Sequence, residues 1–348
     1  MSTATTAASA SDEDRLRRHS GVSALIRRPE LASLLGLALV FALFMFVAPA
    51  FRSLDAVATV LYASSTLGIV ALAVGLLMIG DEFDLSSGVA VTTAALAATM
   101  LNYNLHLNVW VGAVIALGIS LAIGALNGVL VTRTGIPSFL ITLAAFLMLQ
   151  GLNLAVTKLV TGQVATPSIS NMAGFDSARA VFASSFSIGG VSIRITVVWW
   201  LLFVAVASFV LFRTTFGNWI FAVGGNQDAA RASGVPVARV KIILFMTVAF
   251  AAWFVGMHTL FAFDSIQAGQ GVGNEFLYII AAVIGGCSMN GGRGTAIGTA
   301  IGALIFGLTN QGIVYAGWNP DWFKFFLGAM LLFAVFTNTA FARYTDSR

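Results

Sequence analysis

The chain has 348 residues, 58% hydrophobic and 9% charged, with a mean hydropathy of +0.92. Soluble domains carry about 25% charged residues, so this composition excludes an ordinary soluble protein and points to a polytopic membrane protein. The formal net charge of +4 is the bias expected of a membrane protein and implies no nucleic-acid partner.

A crossing helix needs about 20 mainly apolar residues. Ten such segments fit without overlap: 33–51, 56–80, 86–103, 108–132, 137–156, 195–213, 240–263, 276–290, 295–316 and 322–341. The expected fold class is therefore all-α and polytopic, with about ten transmembrane helices. The third and eighth segments are short or broken by glycine. Residues 1–30 form a basic tail with Arg15, Arg17, Arg18, Arg27 and Arg28. The apolar run after it is long enough to span and is followed by no evident cleavage site, so it reads as an anchor with the tail in the cytosol. That orientation puts Arg133, Arg213, Arg231, Arg239, Lys241, Arg293, Arg343 and Arg348 inside with the tail. Only Arg52, Lys158, Arg179, Arg194 and Lys324 fall outside, as the positive-inside rule requires. Residues 31–341 then form one transmembrane domain, with an outer loop at 157–194, a cytosolic loop at 214–240 and a cytosolic tail at 342–348.

One cysteine, Cys287, excludes an intrachain disulfide, and His19, His106 and His258 are too scattered for a metal site. No metal or other cofactor is expected. Within its span His258 reads as a packed, hydrogen-bonded interior residue, and Cys287 as a small buried hydrophobe.

Between the second and third segments lies GDEFDLSSG, Gly80 to Gly88, where Asp81, Glu82 and Asp84 crowd a turn. Each acid at mid-membrane costs about 2.5–3.5 kcal/mol even on a lenient scale, so none faces lipid. Two readings stand. Either the turn lies at the cytosolic rim with Asp84 or Ser86 capping the next helix, or it is a broken helix in which Glu82, Asp84 and Ser86 line a polar solute's path. The fourth segment carries Gly112, Ala116, Ser120, Gly124 and Gly128, a small residue at every fourth position. That stripe lets another helix approach closely, and packing inside one subunit is preferred to a dimer seam. Gly294, Gly298 and Gly302 repeat the device.

In RTGIPSFLITLAAFLMLQGLN, Arg133 to Asn153, Pro137 suits a first helical turn. Thr142, Phe146, Gln150 and Asn153 then share one helix face, which serves either interhelical packing or a pore lining. Residues 157–194 are an outer segment rich in Ser, Thr and Ala, either a covering loop or a contact for an external protein. Gly217 to Lys241 is a polar island between apolar runs. It reads as a short helix after a Gly224-Gly225 turn, with Asn226 as N-cap, Asp228 at the positive end of the dipole and Arg231 toward the other end. Gly234 supplies a left-handed stop and Pro236 follows. So short a helix does not hold itself together in water. Facing the cytosol with Ala229, Ala230, Ala232 and Ser233, it is a contact for a soluble partner. Paired glycines recur in Ile280 to Ala303, but the phosphate-loop ending Gly-Lys-Ser/Thr and a preceding strand are missing. With no room for a hydrolase domain, any ATP chemistry must come from another polypeptide.

The motifs taken together resemble the inner-membrane permease subunits of ribose-type monosaccharide ABC importers, within the branched-chain amino acid and ribose permease superfamily. They are Asp84-Leu85-Ser86 with Gly88; Ile136 to Leu143 with Gly151; Phe216-Gly217, Ala222 to Asn226, Ala229 to Arg231 and Ser233-Gly234; and Ile280 to Gly286, Gly291 to Gly294, Gly298-Thr299 and Gly302 to Leu304. They occur in the family's order across residues 56–340. The resemblance implies a homodimeric or pseudo-dimeric channel of ten-helix subunits without catalytic residues. It also implies a periplasmic sugar-binding protein and a cytosolic ATPase with two fused nucleotide-binding halves. Residues Gly224, Gly225, Asn226, Asp228, Ala229, Ala230, Arg231, Ser233 and Gly234 become the helix seated in a cleft of that ATPase. The family usually has two glycines and an aliphatic residue where this chain has Asp81, Glu82 and Phe83. Within the importer class, nucleosides or branched-chain amino acids are the alternative cargo. An ion-coupled carrier using Asp81, Glu82 or Asp84, and a membrane-embedded enzyme, are the rival classes.

Overall fold

A computed structural model describes residues 29–346, and their side chains from 33 to 336. The basic tail and His19 lie outside the described residues. Thirteen α-helices are present among those described: α1 (Pro29–Val47), α2 (Leu54–Ile79), α3 (Ser87–Leu105), α4 (Val109–Thr134), α5 (Ser138–Thr161), α6 (Phe175–Phe182), α7 (Ile195–Arg213), α8 (Thr215–Gly225), α9 (Gln227–Ala232), α10 (Val237–Phe263), α11 (Asn274–Ile284), α12 (Ala296–Tyr315) and α13 (Trp322–Asp346). A 3-10 turn (Pro49–Arg52) precedes α2, and a two-stranded antiparallel hairpin, β1 (Ser185–Ile188) and β2 (Val191–Arg194), precedes α7. The hairpin and an isolated β-bridge between Ala165 and Gln267 are departures from an all-helical fold among the described residues.

Local chemistry sets the helix ends. Ser53 accepts from the Ala56 N–H, Asn108 from Trp110, Thr214 from Gly217 and Thr295 from Gly298, each an N-cap bond. Gly135 and Gly162 close α4 and α5 in the left-handed conformation.

The core is built on α2, α10 and α12, whose apolar windows are mostly buried, with α3 and α4 packed against α10. The small-residue stripe of α4 is buried along its length within this one chain, with Gly112 against α3 and Gly124 and Gly128 against α10. A Cβ at Gly124 would sit 2.7 Å from the Ala249 Cβ, and one at Gly128 would sit 2.8 Å from the Ile242 Cα. Gly298 and Gly302 of α12 likewise meet the backbone of Gly285 and Ala281 at the end of α11. Large apolar side chains point outward from α1, α5, α7 and α13, the belt expected of helices that face lipid.

Six of the described helices are long and apolar enough to cross a membrane: α2, α4, α5, α7, α10 and α12. Helix α3 is rich in Thr and Asn and almost wholly buried. The expected span 276–290 is not one helix. Helix α11 has 11 residues, about 16 Å at 1.5 Å per residue. It stops at Gly285-Gly286, where a Cβ on Gly285 would overlap the Gly298 carbonyl and Gly286 takes φ 92°. The expected 157–194 loop starts later because α5 runs on to Thr161, and α13 continues to Asp346, into the residues expected as a C-terminal tail.

The loops gather at two ends. One, the basic end, carries residues 80–86, 133–137, 214–236 and 285–295; the other, the hairpin end, carries β1, β2 and α6. At the hairpin end the Thr166 N–H donates to the Ile266 carbonyl and the Ile169 N–H to Asp264, tying residues 164–169 to 264–268. Phe182 stacks on Phe261 at 5.7 Å and meets Trp253 and Phe254 edge-on. His258 is held between the Tyr62 hydroxyl (3.0 Å) and the Phe182 carbonyl (2.7 Å), the interior role read from its position. Cys287 is buried beside the Thr299 hydroxyl.

The stripe yields a paired test. Gly124→Leu should separate α4 from α10, costing about 1–3 kcal/mol or more, and should lower the detergent-phase melting temperature by several degrees. Gly118→Leu, with open space at the Cβ position, should melt as the wild type does.

Candidate functional site

The chain interrupts its own helices at two places, one leading into α3 and the other crossing the first turn of α3. The first is Gly80 to Ser86. After α2 ends at Ile79, Asp81 takes a left-handed φ of 64° and residues 82–86 run on irregularly before α3 begins. A backbone stretch this buried needs partners from elsewhere in the protein. The Phe83 N–H donates to Ser138 Oγ (3.0 Å) and the Leu85 N–H to Thr142 Oγ1 (3.1 Å), both hydroxyls on the first two turns of α5. Asp84 is turned inward, where its Oδ1 accepts from the Ser86 N–H (2.8 Å) and hydroxyl (2.5 Å). The Ser86 hydroxyl in turn accepts from Asn127 Nδ2 (3.2 Å) on α4.

The second interruption is residues 264–273, which leave α10 at the hairpin end and lead into the short helix α11. It crosses the first turn of α3 at two glycines. A Cβ on Gly88 would fall within 2.7 Å of the Gly271 carbonyl oxygen and on the Glu275 carboxylate, and one on Gly271 would lie 2.6 Å from Thr92 Oγ1. Glu275 is buried, and its two carboxylate oxygens each accept from the Gly273 N–H at 3.1 Å. Over this crossing lies a cavity of about 250 Å³. Its polar lining is Thr66 of α2, Thr92 of α3, Thr259 of α10, and Gln270, Asn274 and Tyr278 from the second interruption and α11. None of the residues lining it carries a formal charge.

The basic end packs against the first interruption. Gln227 and Ala230 of α9 turn toward the bundle, while Asp228, Ala229, Arg231, Ala232 and Ser233 are exposed. Asn226 Oδ1 accepts from the Ala229 N–H (2.9 Å), so it is the N-cap. At the other end the Val235 N–H donates to Ala230 and the Gly234 N–H to Arg231, with Gly234 at φ 83°. That pair of bonds is a Schellman closure. Gly224 and Gly225 are not a free turn, as the sequence suggested, but the last residues of α8. Gly224 lies against the Ile79 carbonyl so closely that a Cβ would overlap it, and the same carbonyl accepts from the Gly292 N–H at 2.8 Å.

Lys241, in the first turns of α10, pairs with Glu82 and donates to Gln227 Oε1 at 2.7 Å. Both charged residues are buried, at 6% and 5% exposure, so the pair is shielded from water. Removing one partner from such a pair costs about 3–5 kcal/mol, since the other charge is left buried alone.

The residues picked from sequence are thus divided. Glu82, Asp84, Ser86 and Thr142 come together at the first interruption, and Asn153 reaches the Val89 carbonyl at 3.4 Å on the same side of α3. Phe146 and Gln150 lie half-buried at the edge of the α5 contact. None of these seven lines the cavity. Reading the sequence missed the cavity set of Thr66, Thr92, Thr259, Gln270, Asn274 and Tyr278, and missed Lys241 as a partner of Glu82. Gln270 and Asn274, polar residues beside glycines between two apolar runs, were the available signal.

Comparison with known proteins bears on this geometry. The family described as branched-chain amino acid transport system / permease component matches residues 56–335. The chain is 32% identical over 311 residues to the ribose import permease protein of Escherichia coli strain K12, covering 89% of this chain and 93% of that one. It is 33% identical over 312 residues to the galactose/methyl galactoside import permease protein of the same strain, covering 86% and 90%. A probable ABC transporter permease protein of that strain is 33% identical over 310 residues, 89% of each chain. No solved structure matches.

Thr142→Val tests how the first interruption is held. Losing the acceptor for the buried Leu85 N–H should cost about 1–3 kcal/mol, read as a lower melting temperature in detergent with membrane insertion retained.

Proposed function

The chain belongs to the family of branched-chain amino acid transport system permease components, and on that premise we propose that it forms the passage for a monosaccharide in an ABC importer. As a permease subunit it is non-catalytic; ATP hydrolysis belongs to a separate subunit. Relatives similar over most of the chain are named for importing ribose and galactose, and the cavity supports the same cargo class here. Its polar lining is hydroxyl and amide groups without formal charge. Such groups offer a donor or an acceptor to each sugar hydroxyl. An amino acid would leave its carboxylate and ammonium without charged partners on desolvation, which is costly. This uncharged lining is the observation that favours a sugar over the amino acid in the family's description.

In this reading ten helices cross the inner membrane, with both termini and the basic end in the cytosol. α11 is then a partial helix that starts within the membrane, where the irregular backbone before it is tolerated because it lines a cavity. The exposed face of α9, Asp228, Ala229, Arg231, Ala232 and Ser233, docks on the ATPase. A periplasmic binding protein delivers sugar at the hairpin end, and a second permease copy completes the passage. Glu82, Asp84, Ser86, Thr142, Phe146, Gln150 and Asn153 belong to the flank of the path beside α3, below the cavity. Transport is alternating access, in which the ATPase's differing affinity for two arrangements of the helices shifts their populations.

Vesicles containing the full assembly should take up labelled D-ribose or D-galactose when ATP is inside with the ATPase, and should ignore L-leucine. Uptake by this chain alone, collapsed by an uncoupler and indifferent to ATP, would instead establish an ion-driven carrier. Asn274→Leu should reduce uptake about tenfold or more, the loss of roughly 1.4 kcal/mol or more, while the ATPase still co-purifies. Gly234→Val forces a β-branched residue into a left-handed conformation at a strain of about 1–3 kcal/mol. It should abolish uptake and ATPase co-purification with the chain still inserted.

A further inference from the structure

We propose that Glu82, Lys241 and Gln227 are positioning residues that carry movement of α9 to the helices lining the cavity, a role that rests on the importer reading above. Among the described residues, Gln227 is the one α9 side chain that hydrogen-bonds to another element, through Lys241 Nζ. From Lys241 the connection enters α10, which lines the cavity with Val255 and Thr259. From Glu82 it enters the first interruption and so α3, which lines the cavity with Val91 and Thr92. One ammonium group therefore joins the docking helix to two walls of the passage.

The mechanical reason lies in the kind of contact. α8 also touches α2 where Gly224 meets the Ile79 carbonyl, but a small van der Waals contact resists compression far more than separation. An ion pair with a hydrogen bond resists separation as well, so it transmits a pull from α9 as well as a push. Burial keeps the pair closed, because water has little access to replace either partner. Gln227 tolerates either polarity, since its amide offers an acceptor oxygen to an ammonium or an N–H to a carboxylate. The link predicts that charge order is interchangeable and that cutting it at Gln227 alone uncouples the subunit while leaving the Glu82–Lys241 pair intact.

The test uses the full assembly with its ATPase and binding protein in vesicles. Two readouts are taken: stimulation of ATP hydrolysis by the binding protein, and uptake of D-ribose and D-galactose. Gln227→Leu should leave insertion, ATPase co-purification and unstimulated hydrolysis as in the wild type. It should lower the stimulation about five-fold or more, the size of a typical coupling between sites. Glu82→Lys alone should lose stimulation, and the exchanged pair Glu82→Lys with Lys241→Glu should recover most of it. Full stimulation in Gln227→Leu overturns the proposal, as does an exchanged pair that inserts but stays as inactive as Glu82→Lys. Should the exchanged chain not insert, Gln227→Leu decides alone. A wild-type assembly that takes up neither sugar overturns the monosaccharide reading, while stimulation in the same vesicles still reads the link.

Discussion

Lipid offers no hydrogen-bond partner, so wherever a membrane chain stops being helical the protein itself has to supply donors and acceptors. This chain meets that demand with hydroxyls placed on neighbouring helices. Ser138 and Thr142 receive the Phe83 and Leu85 amides, and Asp84 folds back on Ser86. The rest of the arrangement depends on it. Once the stretch after α2 is held without a helix of its own, α3 can start deep in the bundle, and its first turn is free to meet the 264–273 segment. A cavity whose lining includes six hydroxyl and amide side chains then exists in a body that is otherwise apolar.

Glycine does at close quarters what the hydroxyls do for the broken backbone. Gly88 against Gly271, Gly224 against Ile79, and Gly298 and Gly302 against α11 are all places where one backbone lies directly on another. None of these contacts is directional. A directional contact near them is the buried Glu82–Lys241 pair with Gln227, and it lies where α9 meets α10 and the 80–86 stretch. The contacts that fill space and the contact that fixes relative position are thus chemically distinct.

Much of this was legible in the sequence, for physical reasons that also explain what was not. The α4 stripe was readable because close packing needs small residues at a helical period. The α9 caps were readable because Asn226 and Gly234 answer local backbone demands. Family membership was readable from motifs in order along most of the chain. The Glu82–Lys241 pair was hidden because its members are 159 residues apart, and no periodicity links them. The cavity was hidden because its lining comes from five separate segments, with two key amides in what reads as a loop. Thr142, Phe146, Gln150 and Asn153 did share a face, but a helix face does not say which neighbour it meets. Here Thr142 and Asn153 meet backbone, and the other two lie at the margin.

The crossing of Gly88 and Gly271 carries a consequence for tightness. Beneath the cavity the two strands of chain lie backbone on backbone at these glycines, with the Glu275 carboxylate and the Thr92 hydroxyl beside them, so the floor there is thin. In an importer such a floor would open with a short travel and would leave little material to keep out water and small ions, so the fit of backbone on backbone at that point would be the seal.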